Sequence, residues 1–350
     1  MKNVLRNITP YKPGFQPEDA HCLKLNANEN PYPPSPKVLE ALADFDATQL
    51  RYYSQVGQPV LRQALAEHHR VSPDQIIGGS GSDEILSFSF LSFFCSEQPV
   101  LFPDLTYGFY KVLASLYNIP YQEVPLAEDF TVNTADYLVP NGGIVLANPN
   151  APTGYYKPID EIERIVAANP EVVVVVDEAY IDFSQTSALS LLDKYPNVFV
   201  IRTFSKSASL AGLRVGYGIG SPELIGVMNA VKDSVNPYNL DSIAESLAIA
   251  AIKDWAYYET TIEKIGETRE WFTQALTALG FEVLKSETSF VLVKPKGISA
   301  ANLEAALAEE GIYIRYYPNV TRIKDYVRIA LGTQADMARV ISAIKALLRA

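Results

Sequence analysis

The stretch TFSKSASLAGLRVGYGIG, residues 203–220, places two charged side chains among small and apolar residues. Lys206 stands beside Ser205, and Arg214 follows eight positions after the lysine. A lysine in apolar surroundings gives up its proton more readily than a solvated one, and it then becomes a nucleophilic amine. The neighbouring hydroxyl and guanidinium groups are donors of the kind that a phosphate group needs. Short patterns of this kind more often contain a structural lysine at the junction of a strand and a helix. Other parts of the chain are therefore needed to distinguish a reactive Lys206 from a structural one.

The composition is that of an ordinary soluble globular chain, with 350 residues, 20% of them charged and 48% hydrophobic. That length suits about two domains. A net charge of -11 argues against nucleic acid or an anionic membrane as a partner, although local arginines can still bind an anionic substrate. Cys22 and Cys95 form no disulfide framework, and His21, His68 and His69 form no metal-like cluster. The sequence therefore predicts a cytoplasmic protein without a metal, a signal peptide or a membrane span.

The stretch EVVVVVDEAY, residues 171–180, contains five consecutive valines, which are typical of a strand buried on both faces of a parallel sheet. Asp177 and Glu178 follow at the carboxyl end, the edge of an open α/β sheet where ligands bind. Taken alone, Asp177 also fits a helix cap or a surface carboxylate. The 29 residues from Asp177 to Lys206 match one βαβ unit, so both side chains are predicted at the same sheet edge.

Two further segments predict ligand contacts near strand ends. IIGGSGSDE, residues 76–84, predicts a strand, a tight turn and a helix start, where backbone amides can bind an anion; a mere tight connection fits the glycines equally well. Tyr107 follows the strand of VLFPDLTYGFY and can stack on a planar ring, although core packing is the commoner use of tyrosine.

These residues together provide the parts of a site for pyridoxal 5'-phosphate (PLP). A carboxylate keeps the pyridine nitrogen protonated, so that the ring accepts electrons from a carbanion at the substrate α-carbon. A lysine amine binds the aldehyde, and a hydroxyl, an arginine and a glycine-rich helix start bind the phosphate. The residues that supply these parts are Gly81, Ser82, Asp83, Tyr107, Asp177, Tyr180, Ser205, Lys206 and Arg214.

The chain resembles the fold-type I PLP-dependent aminotransferases, and among them the histidinol-phosphate aminotransferases. The motifs that carry the resemblance span nearly the whole chain: NITPY, LNANENP, RYY, GSGSDE, PDLTYGFY, NPNAPTG, DEAYIDF, TFSKSASLAGLRVGY, GIYIRYY and YVRIALG. The resemblance implies an α/β fold with a mostly parallel seven-stranded sheet between helices, plus a smaller α/β domain. The predicted parts are an N-terminal arm at 1–36, a large PLP-binding domain at 37–250 and a small domain at 251–350, with the arm packed near the small domain.

The resemblance also implies roles for single residues. Lys206 resembles the lysine that binds the cofactor aldehyde, Asp177 the partner of the ring nitrogen, and Tyr180 the partner of the ring hydroxyl. Tyr107 is similar to the aromatic residue that stacks on the ring. The residues that correspond to the phosphate-binding cup are Gly81, Ser82, Asp83, Thr203, Ser205 and Arg214.

The resemblance further implies the substrate contacts and a partner. Arg328 resembles the arginine that binds the α-carboxylate of the amino-group acceptor, and Tyr11 and Arg315 resemble residues that hold the phosphate of histidinol phosphate. A tyrosine at the position of Tyr52 reaches the phosphate from the other subunit, which implies a homodimer with shared active sites. The residues expected to contact substrate are Tyr11, Asn28, Tyr52, Tyr107, Arg315 and Arg328.

One position departs from the family pattern. Members commonly carry asparagine immediately before Pro-Thr-Gly, where it supports the ring hydroxyl, but Ala151 stands there in this chain. Asn150, one residue earlier, is retained as a candidate cofactor ligand, although neighbouring residues of an extended segment point in opposite directions.

The expected reaction is transamination of L-histidinol phosphate with 2-oxoglutarate, which gives imidazole-acetol phosphate and glutamate. An aromatic aminotransferase acting on phenylalanine or tyrosine is one alternative, and a PLP-dependent decarboxylase of a phosphorylated amino acid is another. A non-enzymatic regulator of the same fold would need an attached DNA-binding domain or a lost lysine, and this sequence has neither.

Overall fold

The structure is a computed structural model that describes residues 5–6, 8–18 and 22–349. The strands in these residues are β1 Leu23–Lys24, β2 Ile76–Gly79, β3 Val100–Pro103, β4 Tyr121–Val124, β5 Gly143–Ala147, β6 Val174–Asp177, β7 Val198–Thr203, β8 Gly216–Gly220, β9 Glu282–Val283, β10 Phe290–Lys294, β11 Ile312–Tyr313, β12 Arg315–Tyr316 and β13 Val327–Ala330. The α-helices are α1 Pro36–Ala43, α2 Pro59–His69, α3 Gly81–Phe93, α4 Phe109–Tyr117, α5 Ile159–Ala168, α6 Pro222–Val235, α7 Ser242–Ile252, α8 Trp255–Ala278, α9 Ala300–Glu309 and α10 Gln334–Leu347.

A seven-stranded sheet forms the centre of the fold, in the order β2-β8-β7-β6-β5-β3-β4. Neighbouring strands from β4 to β7 run parallel, whereas β8 is antiparallel to both β7 and β2. Val174 and Val176 pack into a cluster with Ile162 and Ile165 of α5, whereas Val175 faces the layer of α3 and α4. Apolar side chains on both faces of β6 therefore explain the valine run, and the predicted mostly parallel sheet between helices is confirmed.

The connection between β6 and β7 differs from the predicted βαβ unit. The two strands are parallel neighbours, as predicted, but two short 3-10 helices at Ile181–Phe183 and Ala188–Leu191 replace the α-helix. The buried Glu178 carboxylate accepts hydrogen bonds from the Ser187 hydroxyl and the Ala188 amide. These contacts hold the connection in turns, because side chains that bind nearby backbone groups compete with helix formation.

A second sheet lies in the C-terminal part of the chain, in the antiparallel order β12-β13-β10-β9. Helices α8, α9 and α10 cover it through Phe272, Leu303 and Val340, which share one core cluster with its strands. The N-terminal arm reaches this part of the chain, since β1 pairs in parallel with β11. The domain boundaries at residues 36 and 250 remain a prediction. Within the described residues, no helix is both long enough and apolar enough to cross a bilayer.

Candidate active site

A pocket of about 460 Å³ lies at the carboxyl ends of β6 and β7, between the seven-stranded sheet and the C-terminal strands. Open parallel sheets bind ligands at this edge, because the strand ends and the loops that follow them meet there. Most of the residues predicted for the site line the pocket, although they come from distant parts of the sequence. They are Tyr11, Asn28, Ser82, Asp83, Tyr107, Asp177, Tyr180, Thr203, Ser205, Lys206, Arg214, Arg315 and Arg328.

Asp177 ends β6 and is 4% exposed. Its carboxylate accepts a hydrogen bond of 2.7 Å from the Tyr110 hydroxyl and one of 3.2 Å from the Ala179 amide. Burial raises the pKa of Asp177 to about 6, an effect that these two hydrogen bonds oppose. A buried carboxylate without a cation beside it is costly, so a protonated ring nitrogen would suit this position. Tyr110 was not identified from the sequence.

Lys206 lies in the turn that follows β7, opposite the end of β6. Its Nζ donates to the Ala27 carbonyl at 3.4 Å and lies 5.6 Å from the centre of the Tyr180 ring. Asn30 holds the backbone of this turn, because its side-chain amide donates to the carbonyls of Lys206 and Ser207 at 3.0 and 3.1 Å. The lysine amine is thus directed into the pocket from a fixed backbone.

One end of the pocket collects hydrogen-bond donors. Ser82 lies in the first turn of α3, whose N-terminal amides favour an anion. The Thr203 and Ser205 hydroxyls lie 3.0 Å apart, and the Arg214 guanidinium forms a 3.3 Å ion pair with Asp83. Donors of this number and type fit a phosphate group.

Glycine is required at two positions beside these donors. Gly81 has a φ of +79°, and a Cβ there would lie 2.5 Å from an Arg214 guanidinium nitrogen. A Cβ on Gly216 would lie 2.3 Å from the Ser82 amide nitrogen. The close approach of β8 to the start of α3 therefore depends on the missing side chains.

Two tyrosines form further parts of the pocket. The Tyr107 hydroxyl donates to Asp83 at 2.9 Å, and burial together with the Asp83 charge raises the Tyr107 pKa, which keeps the phenol protonated. Tyr180 packs edge-on against Phe290 at 5.2 Å, and its hydroxyl accepts a 2.8 Å hydrogen bond from the Asn28 amide. Both rings are therefore held in place by contacts with neighbouring side chains.

The opposite end of the pocket carries two arginines and the N-terminal arm. Arg328 donates to the Asn26 carbonyl at 2.8 Å, but its buried Nε has no partner among the described residues. Among the residues that the structure describes, Arg315 makes only long hydrogen bonds, of 3.3 and 3.4 Å, to arm carbonyls. Tyr11 of the arm contacts Tyr107 edge-on at 5.7 Å. The guanidinium groups of Arg328 and Arg315 therefore have N–H donors that can bind anionic ligands.

Three predicted residues lie outside the pocket lining, namely Gly81, Tyr52 and Asn150. Gly81 shapes the turn that carries Ser82, and Tyr52 is 59% exposed. The Asn150 amide nitrogen donates to the Leu105 carbonyl and the Thr153 hydroxyl, while its oxygen accepts from Thr106. Because all these groups are engaged within the protein, the structure does not bring Asn150 to a ligand. The neighbouring Ala151 lines the pocket instead.

A buried ion-pair network lies next to the turn that carries Lys206. Arg202 on β7 pairs with Glu178 at 3.0 Å and with Asp182 at 3.1 Å. Asp182 in turn accepts a hydrogen bond from the Ser207 hydroxyl, next to Lys206. The network thereby links the connection after β6 to the lysine-bearing turn.

The two histidines that the structure describes, His68 and His69, do not line the pocket. Among the residues that the structure describes, no group of histidine, cysteine and carboxylate side chains could hold a metal ion. His69 forms a 2.8 Å hydrogen bond with Tyr217, and burial lowers its pKa to about 2. His21 lies outside the described residues.

Comparison with protein-family models identifies the family to which the chain belongs. The family model described as "Aminotransferase class I and II" matches residues 20–344. The chain therefore belongs to the class I and II aminotransferase family, which agrees with the sheet order and the lysine and aspartate at its edge.

Similar proteins and solved structures indicate which members of this family the chain resembles. The chain is 46% identical to the histidinol-phosphate aminotransferase of Lactococcus lactis subsp. cremoris, over 99% of this chain and 98% of the relative. It is also 46% identical to histidinol-phosphate aminotransferase 2 of Thiobacillus denitrificans, over 98% and 96% of the two chains. The crystal structure of histidinol-phosphate aminotransferase from Sinorhizobium meliloti, in complex with pyridoxal-5'-phosphate, has a TM-score of 0.84 and 28% identity, over 94% of this chain and 91% of that one. These relatives confirm the resemblance drawn from the sequence.

Proposed function

We propose that this protein is a PLP-dependent aminotransferase that transfers the amino group of L-histidinol phosphate to 2-oxoglutarate, giving imidazole-acetol phosphate and glutamate. The observation that carries the proposal is the convergence of Asp177 and Lys206 at one sheet edge, with Arg315 and Arg328 across the same pocket. The names of the relatives support the substrate, and the PLP complex of the Sinorhizobium meliloti protein supports the cofactor.

The residues present suit PLP. Asp177 would hold the protonated ring nitrogen, Tyr180 the ring hydroxyl, and Tyr107 one face of the ring. The residues that would hold the phosphate are Ser82, Thr203, Ser205 and Arg214, with the N-terminal amides of α3. When bound, PLP supplies an electron-accepting ring that stabilises negative charge at the substrate α-carbon.

Lys206 performs the proton transfers. Its Nζ points into the pocket. The free amine can therefore take a proton from the α-carbon of the amino donor in the first half-reaction and give a proton to the α-carbon of the acceptor in the second. The Asp177 carboxylate is ionised above its pKa of about 6, where it favours a positively charged ring nitrogen. Arm residues such as Tyr11 and Gly14 line the pocket beside these groups.

The two substrates are bound by different groups. Histidinol phosphate carries a phosphate and no α-carboxylate, whereas 2-oxoglutarate carries an α-carboxylate and no phosphate. We assign the phosphate to Arg315 and Tyr11, and the α-carboxylate to Arg328, whose buried Nε has no partner among the described residues. Each charged hydrogen bond to such a group contributes about 1.5–3 kcal/mol, or roughly ten- to hundredfold in kcat/KM.

The activity is tested with purified protein supplied with PLP, 2-oxoglutarate and an amino donor. We expect glutamate and imidazole-acetol phosphate from histidinol phosphate, with a kcat/KM at least about tenfold above that for phenylalanine. A preference for phenylalanine would move the function to an aromatic aminotransferase, and release of carbon dioxide would indicate a decarboxylase. Lys206→Ala should abolish turnover, while Lys296→Ala, at an exposed lysine outside the pocket, should not. Turnover by Lys206→Ala near that of the wild type would refute the role of the lysine.

We also propose that the protein is a cytoplasmic homodimer in which Tyr52 completes the pocket of the other subunit. Tyr52 is 59% exposed and absent from the pocket of its own chain, and the nearby Leu50, Tyr53 and Val56 are exposed apolar residues. Exposed apolar residues concentrated in one segment are typical of an interface.

Mixing two variants tests the shared site. In a heterodimer of Tyr52→Ala with Lys206→Ala, one site would contain both native residues and the other neither. Because random exchange makes about half of the dimers mixed, activity should recover to roughly a quarter of that of the wild type. If Tyr52 served its own subunit, exchange would restore nothing.

A further inference from the structure

A segment of the N-terminal arm, Asn26 to Asn28, crosses the pocket and contacts three groups of the site. The Asn26 carbonyl accepts from Arg328, and the Ala27 carbonyl accepts from Lys206. Asn28 differs from its neighbours because it uses its side chain, whose amide nitrogen donates to the Tyr180 hydroxyl. This contact joins residues 152 positions apart in the sequence.

Asn28 is held in a conformation that costs stability. It is 3% exposed and has a φ of 56°, in the left-handed region that most residues avoid. Its amide oxygen is buried and has no hydrogen-bond partner among the described residues. Strain and an unpaired polar atom together are typical of a residue that serves the site rather than the fold.

The hydrogen bond decides which way Tyr180 donates. Because the Tyr180 oxygen accepts a hydrogen bond of 2.8 Å from the Asn28 amide nitrogen, the hydroxyl proton of Tyr180 must point elsewhere. Within the described part of the chain, the Tyr180 hydroxyl donates to no acceptor, so it presents a donor to the pocket that it lines.

Among the described residues, no side chain of the loop at 148–154 donates a hydrogen bond to the Tyr180 hydroxyl. Ala151 lines the pocket there with a methyl group, and the Asn150 amide is engaged with Leu105, Thr106 and Thr153. The orientation of the Tyr180 hydroxyl therefore depends on Asn28.

We propose that Asn28 is a positioning residue for this enzyme, which fixes the Tyr180 hydroxyl as a hydrogen-bond donor toward the cofactor and does not bind substrate through its amide. The proposal rests on the proposed function. This role differs from the substrate contact that the sequence predicts for Asn28.

The pH titration of the visible absorption band of bound PLP measures this role directly. A hydrogen bond donated by the Tyr180 hydroxyl stabilises a negatively charged ring oxygen, so a weaker donor keeps the chromophore protonated to higher pH. Asn28→Gly removes the amide and suits the left-handed backbone. It should raise the titration midpoint by about 0.5–1 pH unit, the equivalent of one hydrogen bond. Asn28→Asp, which accepts the Tyr180 proton instead, should raise the midpoint at least as far.

A double-mutant cycle with Tyr180→Phe separates positioning from a structural effect. Tyr180→Phe should raise the midpoint further than Asn28→Gly, and the double variant should not exceed Tyr180→Phe, because Asn28 acts only through the hydroxyl. Asn118→Gly is the matched control, since Asn118 has the same φ of 56° at an exposed helix end. It should leave the midpoint unchanged.

The outcomes distinguish this proposal from the proposed function. A wild-type protein that shows no PLP band would overturn the function itself. A normal wild-type band with an unchanged midpoint in Asn28→Gly would overturn the positioning role alone, and so would an undiminished Asn28→Gly shift in the Tyr180→Phe background. A variant that raises only the KM for histidinol phosphate would return Asn28 to the substrate contacts.

Discussion

Replacing Asp177 by asparagine is expected to stabilise the cofactor-free protein while it weakens cofactor binding. The carboxyl group is buried, and its pKa rises from an ordinary 3.8 to about 6 in the folded protein. The folded state therefore binds this proton more tightly than the unfolded chain does. Ionisation of Asp177 lowers the free energy of unfolding as the pH rises above 3.8, and the full cost is present above pH 6.

The size of the effect follows from the two pKa values. A difference of about 2 in pKa corresponds to about 3 kcal/mol at pH 8, and about half of that cost remains at pH 5. An asparagine side chain has the same shape and no charge, so Asp177→Asn avoids this cost. In the PLP-bound protein the sign reverses, because the variant loses a charge-assisted hydrogen bond to the ring nitrogen, and PLP should bind roughly ten- to hundredfold more weakly.

Urea unfolding of the cofactor-free protein at pH 5 and pH 8 tests this reasoning. The difference in free energy of unfolding between Asp177→Asn and the wild type should be positive and larger at pH 8. Asp325→Asn, at an exposed position, is the matched control and should show no such pH-dependent gain. A variant no more stable than the wild type at pH 8, or a gain that is constant with pH, would refute the claim that burial penalises this charge.

Four other substitutions test separate parts of the site. Arg328→Ala should lower kcat/KM for 2-oxoglutarate by roughly ten- to hundredfold and affect histidinol phosphate less, whereas Arg315→Ala should affect histidinol phosphate more. Steady-state kinetics with each substrate measure both effects. Equal losses for the two substrates would contradict the assignment of the arginines. Gly216→Ala places a Cβ 2.3 Å from the Ser82 amide, so PLP affinity measured by equilibrium dialysis should fall. Unchanged affinity would exclude that turn from phosphate binding. Glu178→Ala removes one of the two carboxylate partners of the buried Arg202 guanidinium and the acceptor of the Ser187 and Ala188 hydrogen bonds, so it should lower the free energy of unfolding in urea by about 3–5 kcal/mol. A loss below about 1 kcal/mol would show that the Arg202–Glu178 pair is solvated.

The centre of the fold could be predicted because its signal is local. A valine run such as Val174 to Val176 is stable only where both faces are covered, which describes an inner strand of a parallel sheet. The connection after it could not be predicted in the same way. Its length matched a helix, but the buried Glu178 accepts hydrogen bonds from Ser187 and Ala188, and this geometry exists only in the folded protein.

The residues of the site also divide into those with a local sequence signal and those that depend on contacts between distant segments. Asp177 and Lys206 were predicted because each follows an apolar strand, and neighbouring strands bring their ends together. Tyr110 reads as a core residue of α4, and nothing near it in the sequence indicates that its hydroxyl reaches Asp177, 67 positions away. The role proposed for Asn28 depends likewise on a contact between distant segments.

The hydrogen bond from Arg328 to the Asn26 carbonyl spans 302 positions and has a consequence for biosynthesis of the chain. β1 also needs β11 as its partner, so the arm has no strand to pair with until the ribosome has released the C-terminal part. Contacts between residues so far apart form late, because closing a long loop is entropically costly. The seven-stranded sheet, complete at residue 220, can form well before the pocket does. A nascent chain is therefore expected to form its seven-stranded sheet before the arm and the C-terminal strands complete the pocket.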